Sequence, residues 1–126
     1  MKAEGKVKNE ENDLLPRTKQ FAHRIIRLYV ALPKSDTLSQ VLGKQVLRSG
    51  TSVGANYREA NRARSKAEFI AKMGDCLKEA DETLYWLELM MEENLIAAKL
   101  LLPLKNEANE LVAIFITILK RARGHE

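Results

Sequence analysis

Apolar residues recur along this chain at spacings of three and four, and nowhere do they alternate strictly with polar ones. That period lines one face of a helix rather than one face of a strand. Phe21, Ile25, Leu28 and Leu32 mark a first helix from about Arg17 to Leu32. Pro33 has no N–H and cannot continue it, while Asp36 or Thr37 offers a side-chain oxygen to cap a second helix that reaches about Ala63. Ser65 and Glu68 stand at the spacing of a capping box and open a third. Its stripe is Phe69, Met73, Cys76 or Leu77, Ala80, Leu84, Leu87 and Met91, and Asn94 ends it. After a short helical connection in "LIAAKLL", Pro103 is expected in the first turn of a fourth helix lined by Leu104, Ala108, Leu111, Phe115, Ile118 and Ala122. Helices of similar length joined by short connectors pack as antiparallel neighbours. The pattern therefore predicts an all-α protein, an antiparallel up-down-up-down four-helix bundle over residues 14–123. Residues 1–13 scatter charges around no apolar segment, which suits a disordered arm and not a secretory signal.

One stretch, "VLRSGTSVGANYREANRARSKAEF", interrupts this simple reading. Its glycines, serines and asparagine suggest a loop, even a phosphate cradle, but "GTSVGANY" lacks the Lys-Ser/Thr pair of a Walker loop and follows no strand. Placed on a helix at about 100° per residue, residues 38–63 sort into three faces. Leu38, Val41, Leu42, Ser49, Ser52, Val53, Asn56 and Ala60 share an inward face. Gly43, Gly50, Gly54 and Asn61 make a second face with little side-chain bulk. Lys44, Arg48, Arg58, Arg62 and Lys66 form a basic ridge. Each interior glycine costs a helix roughly 0.5–1 kcal/mol relative to alanine, so a close backbone approach must compensate. Either a helix of the same bundle or a second subunit supplies it. Gly43, Gly50 and Gly54 are expected at a subunit interface, since "LVAIFITIL" in the fourth helix is apolar on nearly every side, more than one bundle's core covers.

A chain of 126 residues, 45% hydrophobic and 30% charged, holds one domain with a modest core. Its one cysteine, Cys76, excludes an internal disulfide and suits a reducing cytoplasm. The longest apolar run falls far short of the roughly 20 residues that cross a bilayer, so no membrane insertion is expected.

Little chemistry is on offer. His23 follows Gln20 where a di-metal bundle would have Glu, and His125 lies near the end of the chain. Asp75, Glu79 and Glu82 share a face of the third helix, which reads as a solvated acidic face; no metal or other cofactor is expected. Cys76 lies on the apolar stripe with no histidine nearby in sequence, and reads as a buried hydrophobe. Tyr85, Trp86 and Met90 read as packing. The chain is expected not to be an enzyme.

Charge carries more information. Residues 38–66 hold six Lys or Arg against one Glu, whereas residues 67–99 hold three against eight acids. Such a basic ridge suits a phosphate backbone, because each neutralised phosphate releases counterions. The alternative is that its arginines pair with the acidic third helix. Tyr57 falls nearer the glycine face than the ridge and is not counted as a base-stacking ring.

The segment "LRSGTSVGANYREANRARSKAEFIAKMGDCLKEADETLYWLELM" resembles the bacterial four-helix-bundle family named after the intervening sequence of 23S ribosomal RNA, also called S23-like. Its motif elements stand here as Arg48, Ser49, Ser52, Val53, Asn56, Glu59, Ser65, Glu68 and Phe69, then Glu79, Glu82, Trp86, Leu87 and Glu88. Gly54 stands where many relatives have proline. The resemblance implies a non-enzymatic, ring-like homo-oligomer, a pentamer, with a link to RNA or to a nucleoprotein partner. A related branch serves as the accessory partner of reverse transcriptase in diversity-generating retroelements. It also implies that Arg48, Asn56, Glu59 and Glu82 are structural, with Arg48 paired to an acid. The ridge left for nucleic acid is then Lys44, Arg58, Arg62, Arg64 and Lys66. A cytoplasmic RNA-binding or nucleoprotein accessory module follows, with an adaptor for an acidic partner as the alternative.

Overall fold

Local capping chemistry sets most helix bounds in a computed structural model that describes the backbone of residues 2–124 and the side chains of 13–124. The helices are α1 (Lys2–Ala31), α2 (Thr37–Asn61), α3 (Lys66–Glu92) and α4 (Ala98–Ala122). Asp36 caps α2, its carboxylate accepting from the Ser39 backbone N–H at 3.0 Å and from the Ser39 hydroxyl at 2.5 Å. These two bonds, the hydroxyl one first, hold the Asp36 carboxyl below its ordinary pKa. Ser65 caps α3 by accepting from the Glu68 N–H at 3.0 Å. At its far end α3 stops on Asn94, whose φ of 55° is left-handed. The N–H groups of Asn94 and Leu95 return to the carbonyls of Met91 and Met90, both at 3.1 Å, the pairing of a Schellman stop.

Two boundaries differ from the sequence expectation. α1 begins at Lys2, so the segment expected as an arm is helical backbone from that residue, and Met1 lies outside the described residues. α4 begins at Ala98, so the last four residues of the connector join the fourth helix and Pro103 lies inside it. That proline removes a single hydrogen bond near an end that already lacks partners, which a helix tolerates better there than at mid-length.

The chain is an all-α four-helix bundle. Consecutive helices pack against each other, and α1 and α4 close the bundle with a much lighter contact. Arg17 links that last pair, its guanidinium donating to Glu107 at 2.7 and 2.8 Å and to Glu110 at 2.8 Å. Phe21, Ile25, Val53, Tyr57, Met73, Leu87, Leu111 and Phe115 lie in one core, and the rings of Tyr57 and Phe115 stack with centroids 6.4 Å apart.

The stripes shift where a helix serves two neighbours. In α2, Leu38 and Val41 are 43% and 54% exposed, while Ser39, Val46 and Tyr57 are buried. In α3, Thr83 and Met90 are buried, and Leu84 and Met91 flank the core half-covered. Thr83 is satisfied inside: its hydroxyl lies 2.7 Å from the Glu79 carbonyl and 2.8 Å from the Ser49 hydroxyl, which itself donates to the Gln45 carbonyl at 3.0 Å. Two buried hydroxyls thus fix the register of α2 on α3 without an unpaired polar atom.

The glycine face is covered inside the chain. A Cβ on Gly43 would stand 2.5 Å from Leu32, one on Gly50 2.7 Å from Ile25, and one on Gly54 3.3 Å from the Thr18 carbonyl. The close approach that Gly43, Gly50 and Gly54 permit is therefore that of α1 to α2, and not of a second subunit as expected. The apolar run of α4 is also mostly covered: Leu111, Phe115, Ile118 and Leu119 are buried, Val112 and Ile114 pack beside them, and Ile116 is exposed.

Candidate nucleic-acid interface

Five ridge residues, Lys44, Arg58, Arg62, Arg64 and Lys66, are all exposed. The fold divides them. Arg58 lies in the last turn of α2, Arg62 at its C-cap, Arg64 in the turn and Lys66 at the start of α3, so these four share one end of the bundle. Lys44 points outward on the same helix about 21 Å nearer the other end, by a rise of about 1.5 Å per residue. It stands apart from the group.

None of the five forms an ion pair with another described residue, in contrast to Arg48. Arg48 binds Glu82 and lies 3.4 Å from Glu79. The hydrogen bond to Glu82, aided by the fields of both acids, raises the Arg48 pKa. Glu59 is taken by Lys72 at 2.6 Å, a bond that raises the lysine's pKa. Asn56 is half-buried on α2. Thus α2 and α3 pair through Arg48 in the middle of the bundle and through Glu59 nearer its end, while Arg58, Arg62, Arg64 and Lys66 form no ion pair with a described residue.

Three cations escaped the sequence reading. Because α2 and α4 run in the same direction, and Tyr57 meets Phe115, the turn after Phe115 descends beside the turn after Tyr57. Lys120, Arg121 and Arg123, all exposed, therefore reach the end that carries Arg62 and Arg64. Their charge was visible in "LKRARG"; their place depends on topology.

Beside this end, α1 and α2 enclose a groove of about 650 Å³. Its walls include Pro16, Lys19, Gly54, Asn61, Arg58 and Arg62. The small residues Ala22, Gly54 and Ala55 also line it.

Other chemistry is sparse. Among the described residues no group of three or more His, Cys, Asp or Glu side chains is placed to hold a metal ion, and no helix is long and apolar enough to cross a membrane. Cys76 is fully buried, and desolvation pushes its thiol up to about 12. The neutral thiol is then favoured in the fold, and the stability this carries is present below the ordinary thiol pKa and lost as pH rises toward 12. In native protein at pH 8, Cys76 is expected to react with a disulfide reagent at least about tenfold more slowly than in urea-unfolded protein. Equal rates would overturn its assignment to the core.

The family model for the 23S rRNA-intervening sequence protein matches residues 10–117. Among solved structures, a protein of unknown function from the S23 ribosomal protein family of Bacteroides thetaiotaomicron VPI-5482 is 42% identical. That match covers 87% of this chain and 97% of the other, with a TM-score of 0.80. No curated protein is significantly similar. With the sequence motif, the bundle and these matches in agreement, the chain belongs to the 23S rRNA-intervening sequence protein family.

Proposed function

We propose that this chain acts without catalysis, as a self-associating, cytoplasmic RNA-binding or nucleoprotein accessory module. The observation that carries the reading is the division of cations: Arg48 and Lys72 are held by acids, whereas Arg58, Arg62, Arg64 and Lys66 stand exposed and without an ion pair among the described residues. Structural pairs do not account for these four, and a polyanion would. The family's association with ribosomal RNA supports the same assignment.

Self-association draws on a different surface from the glycines. Of the exposed large apolar residues, Ile26, Val30, Leu38, Val41, Tyr85, Leu100 and Leu102 lie in the half of the bundle that holds the α1–α2 and α3–α4 turns, and Ile116 lies outside it. Covering them between subunits would leave the cationic end open. A homo-oligomer, a pentamer in the family pattern, fits that arrangement.

Light scattering coupled to size exclusion, with absorbance at 260 and 280 nm read on the same peak, tests both parts. A homogeneous oligomer that carries RNA, or takes up added RNA with an affinity falling steeply in salt, is the expected result. A monomer at micromolar concentration removes the assembly. RNA-free protein that binds no RNA even at low salt removes the RNA role and favours an adaptor for an acidic protein.

A further inference from the structure

Seven exposed cations gather at one end of the bundle from three separate segments. Arg58 and Arg62 come from the end of α2, Arg64 and Lys66 from the turn into α3, and Lys120, Arg121 and Arg123 from the end of α4. Described carboxylates near them are Asp13, Glu59 and Glu68, of which Glu59 is bound to Lys72. Positive charge prevails there by a wide margin. In the sequence the last three cations lie more than fifty residues from the others, so only the fold makes them one surface.

Two further features narrow the ligand. α2 and α4 lie diagonally across the bundle, and with neighbouring axes about 8–10 Å apart their ends are separated by about 11–14 Å. The surface thus holds two cation groups set apart, joined along one edge by Arg64 and Lys66. Its aromatic rings, in turn, are all committed to packing: Tyr57 and Phe115 are buried against each other, and Phe69 packs on the core. The exposed aromatic residue, Tyr85, lies on α3 about 28 Å from Lys66 at 1.5 Å per residue.

Binding of single strands gains much from bases stacked on aromatic side chains, and this end offers no such platform. A double helix hides its base faces and presents two phosphate backbones across a groove, which is what separated cation groups can meet. Resting on the proposed RNA role, we infer that Lys120, Arg121 and Arg123 complete a binding surface for the backbone of double-helical RNA. The surface spans two strands, one held by the end of α2 and the α2–α3 turn, the other by the end of α4. Recognition is by charge and shape, without base reading.

The test is a fluorescence anisotropy titration of the full chain with a short blunt RNA duplex, with a second duplex of unrelated sequence, and with one component strand, each at several salt concentrations. Both duplexes should bind equally, and more tightly than the single strand. Lys120→Glu, Arg121→Glu and Arg123→Glu together should weaken duplex binding by about tenfold or more and flatten the salt dependence by roughly two to three contacts. The matching triple glutamine variant, which removes the charges without setting acids at the end of α4, should shift in the same direction by a smaller amount, and circular dichroism checks that helicity is kept. Wild-type affinity and salt slope in both variants, or tighter binding of the single strand, overturn this inference while leaving an RNA role intact. Absence of binding to any of the three RNAs removes the RNA role and this surface with it.

Discussion

Converting Arg58, Arg62 and Lys66 to glutamate together is expected to lower RNA affinity by about a hundredfold or more at moderate salt. Each reversal removes a phosphate contact and sets a negative charge against the backbone. The log–log salt slope should fall by about two to three, one contact per residue. Folding should survive. All three side chains are exposed and pair with no described residue, and substitutions at such sites usually stay within about 0.5 kcal/mol. Glutamate at 58 and 62 faces the negative end of the α2 dipole, costing roughly 0.3–1 kcal/mol each, while at position 66 it sits favourably in the first turn of α3. Anisotropy titrations with RNA, paired with far-UV circular dichroism, read both effects. Unchanged affinity in a folded variant would show that this end of the bundle does not meet RNA.

What the sequence revealed of the fold depended on how local the cause was. Asp36, Ser65 and Asn94 punctuate helices through their own side chains or backbone, and each acts where it was read. Pro103 was misplaced because the second half of "LIAAKLL", from Ala98, is already the first turn of α4 and nothing between it and Pro103 stops the helix. Ideal angular placement failed for a tertiary reason. A single inward face was drawn for α2, but this helix touches both α1 and α3, so its buried arc widens to include Gly43, Gly50 and Tyr57 and excludes Leu38 and Val41.

The candidate site shows the same contrast. Arg58, Arg62, Arg64 and Lys66 are close in sequence, and their common exposure follows from one helix end and one turn. Which of the basic residues were already paired could be read for Arg48 only through family resemblance, since its acids come from α3. Lys120, Arg121 and Arg123 needed the direction of α4 relative to α2. Once that is known, seven exposed cations fall together at one end, about 37 Å along a 25-residue helix from the turns near which most of the exposed large apolar side chains lie. Arg27, Lys34, Lys44 and Lys99 are also exposed in that apolar half. The proposed assembly face and the proposed polyanion surface would then use different residues.

Replacing Gly50 with leucine is expected to destabilise the bundle by about 3 kcal/mol, the upper range for overpacking a core. A Cβ there lies 2.7 and 2.9 Å from the two γ-carbons of Ile25 and 3.2 Å from its Cβ. Ile25 is fully buried and, being β-branched in a helix, has one strongly preferred rotamer, so the strain passes to the α1 backbone. Leucine's gain of up to about 1 kcal/mol in helix propensity over glycine does not offset this. Gly74 provides the control. A Cβ there meets nothing within 4 Å, and Gly74→Ala should stabilise by about 0.5–1 kcal/mol. Urea unfolding reads both changes, and sedimentation separates the two possible roles of Gly50. If the glycine serves the α1–α2 contact, the unfolding midpoint drops while the folded fraction keeps the wild-type mass. If it served a contact between subunits, the mass would fall with the midpoint of the separated chain unchanged, and the intrachain explanation of the glycine face would be lost.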